Sequence, residues 1–150
     1  MVRWIDVLSA EPAFGERVRD AFEAGRHKTM ATVRRDGSPR ISGIEVEFVD
    51  GDIWIGTMAG SVKARDLRRD GRLAVHSPSI DPPADDPTAW PGEAKVAGRA
   101  IGSGEGSSGT PGSFRIDLDE VVLTRIGEPA DHLVIEAWHP ERGLERIERR

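Results

Sequence analysis

The chain has 150 residues, a formal net charge of −5 and no cysteine. A chain of this length buries one substantial core, so we expect a single domain over residues 1–150. The lack of cysteine excludes thiol catalysis, thiolate metal sites and disulfides, and the acidic balance argues against nucleic-acid binding, which requires basic surface.

No segment has the length and hydrophobicity of a membrane span or a secretory leader. We therefore expect a cytoplasmic protein that does not bind membranes. Asparagine, glutamine and tyrosine are also absent, and arginine far outnumbers lysine, a composition typical of a GC-rich bacterial genome.

The first predicted element is an amphipathic helix over residues 11–25, whose apolar residues recur at helical spacing. Two Asp-Gly turns, at 36–37 and 50–51, are strong hairpin signals. They separate three expected antiparallel strands, over residues 29–34, 40–49 and 52–57.

A short basic helix is predicted next; it carries Val62 and Leu67 on its apolar side and ends at Gly71. Segment 78–92 is rich in proline and aspartate and is predicted to be a long surface loop. The remaining strand-like runs cover residues 72–77, 93–101, 114–126, 132–139 and 143–149. Six to eight mostly antiparallel strands with at least two helices favour a mainly β fold, a barrel or a sandwich.

The first candidate site lies where a strand ends and the short basic helix begins. Thr57 and Ser61 offer hydroxyl groups, the helix N-terminus offers free backbone N–H groups, and Lys63 adds a full positive charge. Together these groups suit a phosphate, to which charged donors bind strongly. The alternative is a serine-capped helix with a solvated basic face. We call Thr57, Ser61 and Lys63 the 57–63 site.

Other patterns are less specific. The run containing Gly104, Gly106 and Gly109 matches a dinucleotide-binding spacing, but a strand follows it instead of a helix, so we interpret it as a hairpin loop. The four histidines lack metal-ligand spacing, so no metal site is predicted. Trp54 and Trp138 are expected in the core. His76 ends a strand before the long loop, and Trp90 lies within that loop.

Residues 28–77 resemble the split β-barrel flavoproteins related to pyridoxamine 5'-phosphate oxidase, which include deazaflavin-using bacterial proteins. The resemblance rests on an ordered series of short motifs. Ala31-Thr32 with Asp36-Gly37 and Pro39 forms the first hairpin, a second hairpin follows, and a strand ending in Thr57 leads to the S-x-K sequence of Ser61 and Lys63.

The resemblance implies a split β-barrel in which the 57–63 site holds a flavin phosphate. It also implies a homodimer with cofactor sites at the interface. FMN is the cofactor most typical of the family, and the deazaflavin coenzyme F420 is the alternative. The implied function is an oxidoreductase that transfers hydride to or from a small organic substrate. A non-enzymatic protein that stores or senses a flavin, or binds haem, is the competing hypothesis.

Two departures from the family pattern concern charge. Ser42 replaces an arginine of the flavin-side strand, and Val62 replaces a basic residue. Since alternation puts Arg40 on the same face as Ser42, Arg40 is expected to supply the missing charge. Gly43 would let the strand backbone approach the flavin ring closely.

The C-terminal arginine-rich signature of true pyridoxamine-phosphate oxidases is not found, so vitamin B6 oxidation is not expected. His76 and Trp90 are the candidates for substrate contact.

Overall fold

The computed structural model describes residues 1–102 and 110–150. Within these residues the fold is mostly β, with eight strands, three α-helices and one 3-10 turn at Pro87–Ala89. The helices are α1 (Trp4–Ala10), α2 (Pro12–Glu23) and α3 (Val62–Arg69). The strands are β1 (Lys28–Val33), β2 (Pro39–Val49), β3 (Asp52–Gly56), β4 (Arg72–His76), β5 (Glu93–Gly102), β6 (Ser113–Ile126), β7 (Leu133–His139) and β8 (Gly143–Arg149).

The strands form one antiparallel sheet in the order β3-β2-β1-β4-β5-β6-β7-β8. Pairing of β3 with β6 closes the first six into a barrel, while β7 and β8 extend the sheet outside it. Closure gives β3 a second partner strand, so β3 is not the free edge that it would be in an open antiparallel sheet. The predicted mainly β fold, a split β-barrel, is thereby confirmed.

Strand β2 changes its partner half-way along its length. Residues 39–44 pair with β1, whereas residues 45–49 pair with β3, starting at Glu45 opposite Gly56. Among the described residues, no strand pairs with the first half of β2 on its β3 side. Helix α3 and the loop before it lie next to this opening, where Lys63 donates a hydrogen bond to Gly43.

The barrel interior is filled by apolar side chains from every barrel strand, among them Met30, Ile55, Val75, Val96 and Leu118. Helices α1 and α2 pack against this core through Trp4 and Phe22. Both rings contact Phe48, at centroid distances of 5.0 and 5.8 Å. The apolar stripe of α2 faces the core, as the helical spacing predicted.

Two details differ from the sequence-based expectations. Helix α1 was not predicted as a separate helix, and its position depends on Arg3 donating two hydrogen bonds to Asp52. Trp138 is in the core, but Trp54 is only half-buried, because it faces outward between the buried Ile53 and Ile55. The glycine run that contains Gly104, Gly106 and Gly109 lies outside the described residues.

The predicted surface loop is present: apart from the 3-10 turn, residues 78–92 form no helix or strand, and most of them are exposed. None of the helices found in the two described ranges is long and apolar enough to span a membrane.

Candidate functional site

The 57–63 site lies where β3 ends and α3 begins. Ser61 is the N-cap of α3, and its Oγ accepts a hydrogen bond of 3.2 Å from the amide of Ala64. The Ser61 hydroxyl proton stays available to a ligand, because a hydroxyl accepts and donates at the same time. In the described part of the chain, no acceptor faces the amides of Val62 and Lys63, as is usual in the first turn of a helix.

Lys63 connects the helix to the opening in the barrel. Its Nζ donates a 2.8 Å hydrogen bond to the carbonyl oxygen of Gly43, on the half of β2 that has no partner strand there. One bond leaves two ammonium donors for a ligand. The structure therefore brings together two of the predicted residues, Lys63 and Gly43, that are twenty positions apart in sequence.

Thr57 is placed beside the loop but is already bonded. Its Oγ1 and its backbone amide both donate to the carbonyl oxygen of Gly112, at 2.8 and 2.9 Å. These two bonds hold Thr57, at the start of the loop before α3, against Gly112, the residue that precedes β6. To donate to a phosphate, the Thr57 hydroxyl would have to give up its bond to Gly112, so Ser61 and Lys63 are the better donors in this geometry.

Space for a ligand is present around the site. A Cβ built on Gly43, Gly56 or Gly60 would meet no atom within 4 Å. Three of the most exposed large apolar side chains lie on the same segments, namely Met58, Ile41 and Val62. A phosphate at the helix N-terminus and an adjoining planar ring system both fit this combination of donors, open glycines and uncovered apolar surface.

Arg40 and Ser42 lie on the opposite face of β2 from Gly43, as the predicted alternation requires. Ser42 is half-buried opposite Met30. Arg40 donates through Nε to Asp66, at 2.7 Å, so at least one of its donors is committed within the protein. Whether Arg40 also contacts a cofactor stays a prediction.

Asp66 is a functional-site neighbour that the sequence did not single out. Its side chain is 2% exposed and accepts hydrogen bonds from Arg40, Arg69 and Thr32. Burial alone would raise the pKa of Asp66, but the bonds from the two arginines and from Thr32 outweigh it and lower the pKa to about 2. Asp66 is therefore ionised. Its carboxylate links α3 to β1 through Thr32 and to β2 through Arg40.

The two substrate candidates are not brought together. His76 faces the outside of the barrel in the cross-strand row Gly43, Thr29, His76, and its Nδ1 lies 2.5 Å from the carbonyl oxygen of Ser77. Trp90 borders a separate cleft of about 560 Å³ with Arg125 and His132. Its Nε1 donates to the carbonyl oxygen of Ile80, which fixes the indole at the rim. His76 therefore shares a cross-strand row with Gly43, the residue to which Lys63 donates.

Over residues 1–102 and 110–150 there is no group of three or more histidine, aspartate or glutamate side chains arranged to hold a metal ion.

A family model described as pyridoxamine 5'-phosphate oxidase matches residues 14–103, which include β1 to β5 and the whole 57–63 site. No curated protein matches the chain in sequence.

Several solved structures share the fold. A pyridoxamine 5'-phosphate oxidase-related, FMN-binding protein from Nostoc punctiforme aligns with a TM-score of 0.62 at 10% identity, over 93% of this chain and 96% of that one. PhzG from Burkholderia lata, in complex with tetrahydrophenazine-1-carboxylic acid, aligns with a TM-score of 0.61 at 14% identity, over 96% and 90%. A heme-binding protein from Mycobacterium smegmatis aligns with a TM-score of 0.52 at 15% identity, over 89% and 86%.

Two other solved chains are longer than the matched region: this chain spans 51% of one and 54% of the other. The likenesses to the Nostoc, Burkholderia and Mycobacterium smegmatis structures, at 10%, 14% and 15% identity, establish the fold alone.

Proposed function

The chain belongs to the pyridoxamine 5'-phosphate oxidase family, and from this we propose that it is a flavin-binding oxidoreductase whose 57–63 site holds the cofactor phosphate. The observation that carries the proposal is the convergence of the Ser61 hydroxyl, the Lys63 ammonium and the free amides of α3 on one opening in the barrel. When bound, a flavin or deazaflavin supplies the hydride chemistry, so the protein has only to bind and orient it and the substrate.

FMN is the cofactor that we propose, with the deazaflavin coenzyme F420 as the alternative. Both are phosphate esters, and the donors of the 57–63 site recognise that shared group. The open glycines support close approach of a planar ring to the β2 backbone. His76, on the same outer face as Gly43, is the residue that we propose for substrate contact.

The test of this proposal is the dependence of binding on the phosphate. We expect FMN to bind at least about tenfold more tightly than riboflavin, which lacks only the phosphate, because charge-assisted hydrogen bonds to that group are worth roughly 1.5–3 kcal/mol. Quenching of flavin fluorescence during titration measures both affinities. A protein that binds FMN but never exchanges hydride with any reductant would support the non-enzymatic alternative.

We also propose that the protein is a homodimer. The outside of the barrel carries a cross-strand row of apolar residues, in which Ala31 pairs with both Ile41 and Ala74, and Ala74 pairs with Ala97. Ile41 is 76% exposed and Ala74 is exposed as well. A flat apolar row of this kind suits a second copy of the same chain, and that copy would also cover the apolar surface beside the 57–63 site.

Replacing Ala74 by glutamate is expected to convert the dimer into a monomer, because the substitution buries an unpaired charge in the interface. Sedimentation equilibrium at micromolar concentration measures the change, with circular dichroism as the check on folding. Ala89→Glu, in the exposed loop, should leave the dimer intact. A wild-type protein that sediments as a monomer would rule out this arrangement.

A further inference from the structure

A second cleft, beside α3, is lined mainly by arginine. It measures about 850 Å³ and lies between α3, the first half of β2 and the β1–β2 turn. We call it the arginine cleft. Its guanidinium groups belong to Arg34, Arg35, Arg40, Arg65, Arg68 and Arg69.

The charge of this cleft is opposite to that of the chain. Among the residues that the structure describes, Asp36 and Asp66 are the carboxylates that line it, so six guanidinium groups face two carboxylates and leave a local charge of +4 in a chain of net charge −5. Like charges held close together repel one another, and the repulsion is relieved when an anion binds among them. An ordinary solvated surface carries acidic and basic side chains in mixed arrangement, whereas arginine predominates in this cleft.

Several of these arginines are oriented by bonds to the protein that leave donors free. Arg69 donates to the Val33 carbonyl oxygen and to Asp66, at 2.7 and 2.9 Å. Arg68 and Arg65 donate to the carbonyl oxygens of Ala59 and Gly60, at 2.7 and 3.2 Å. A guanidinium has five N–H donors, so each retains donors for a ligand while its position is restrained.

We propose that the arginine cleft binds an oligoanion, a ligand with two or more successive phosphate or carboxylate groups. Arginine forms paired hydrogen bonds with both kinds of group. The cleft volume falls within the range of small-molecule sites and far exceeds the needs of one phosphate. Ser61 and Lys63 do not line the cleft, so variants of these two residues test the flavin proposal separately; Arg40, also a predicted cofactor contact, does line it.

The experiment titrates tripolyphosphate and propane-1,2,3-tricarboxylate into the full chain by calorimetry, at low salt and at about 0.15 M ionic strength. We expect at least one probe to bind, more weakly at the higher salt, and the tighter probe identifies the preferred group. Arg34→Gln with Arg35→Gln should weaken that binding at least about tenfold, since two charge-assisted contacts are removed. Both side chains sit on an exposed turn, so folding is preserved.

Two further variants test whether the probes bind in the arginine cleft. Arg149→Gln with Arg150→Gln removes the same charge from exposed residues at the other end of the chain and should leave the affinity within about twofold. Lys63→Ala measures any binding of the probe at the 57–63 site, and its loss of affinity should be smaller than that of the Arg34 and Arg35 variant. Failure of both probes to bind the wild type would overturn the proposal. So would equal losses in the two arginine pairs, or a loss in Lys63→Ala as large as that in the Arg34 and Arg35 variant.

Discussion

Asp66→Asn is expected to destabilise the protein by about 2 kcal/mol, because it leaves Arg40 and Arg69 facing a neutral amide. Breaking a fully buried ion pair costs roughly 3–5 kcal/mol. The two arginine side chains here are 26% and 31% exposed, so water offsets part of that cost. In a chain of this length the loss corresponds to a fall in melting temperature of roughly 4–8 °C, measured by thermal denaturation.

The control for this prediction is Asp70→Asn. Hydrogen bonds from the Arg72 side chain and backbone lower the pKa of Asp70 to about 2 as well, but its side chain is 25% exposed and its partner is 60% exposed. Solvent screens such a pair, and we expect a much smaller change in stability. Equal melting temperatures for the wild type and Asp66→Asn would contradict the structural role given to Asp66.

The contribution of Asp66 to the stability of the folded protein should decrease as the pH falls. The pKa of Asp66 in the folded protein is about 2, below the ordinary value of 3.8, so the folded state favours the carboxylate. The stabilisation is fully present above the ordinary value and is lost as the pH falls from there toward 2. The difference in stability between the wild type and Asp66→Asn should therefore shrink over that interval.

Lys63→Ala is expected to weaken FMN binding about ten- to a hundredfold, the equivalent of roughly 1.5–3 kcal/mol for a charge-assisted contact with the phosphate. Stability should change by no more than about 0.5 kcal/mol, because the bond that Lys63 makes to Gly43 lies at the surface. Fluorescence titration and a thermal melt measure the two effects.

Lys95→Ala is the matched control. Lys95 is exposed on β5, three strands away from Gly43, which is roughly 14 Å at the usual strand spacing. Its loss removes the same charge from the same barrel, and FMN affinity should hardly change. Arg69, further along α3, is not a suitable control because it binds Asp66.

The sequence predicted most of the fold because hairpin turns and alternation are local signals. Asp36-Gly37 and Asp50-Gly51 marked the β1–β2 and β2–β3 turns, and Gly37, Asp50 and Gly51 do adopt positive φ angles. Helix α1 was missed because it has only seven residues and is held by contacts with distant segments, such as the amide of Ile5 with Gly51. Isolated helices of that length are unstable, so local sequence carries little signal for them.

Part of the candidate site could also be predicted, because some of its signals are local in the sequence. Ser61 as a helix cap and Lys63 beside it follow from local sequence, and the structure adds the bond from Lys63 to Gly43. The role of Asp66 could not be predicted, since a single acid among arginines looks like part of a solvated helix face. Only the pairing of β1 with β2 brings Thr32 and Arg40 to it. The outward position of Trp54 was likewise hidden, because Ile53, Trp54 and Ile55 are all apolar.

The central claim is that the 57–63 site holds the phosphate of the cofactor, and one crossed titration tests it most directly. FMN and riboflavin are each titrated into the wild type and into Lys63→Ala. The phosphate contact predicts a ten- to a hundredfold loss for FMN in the variant, and no more than about a twofold change for riboflavin. Equal losses for the two ligands, or none for either, would contradict the claim.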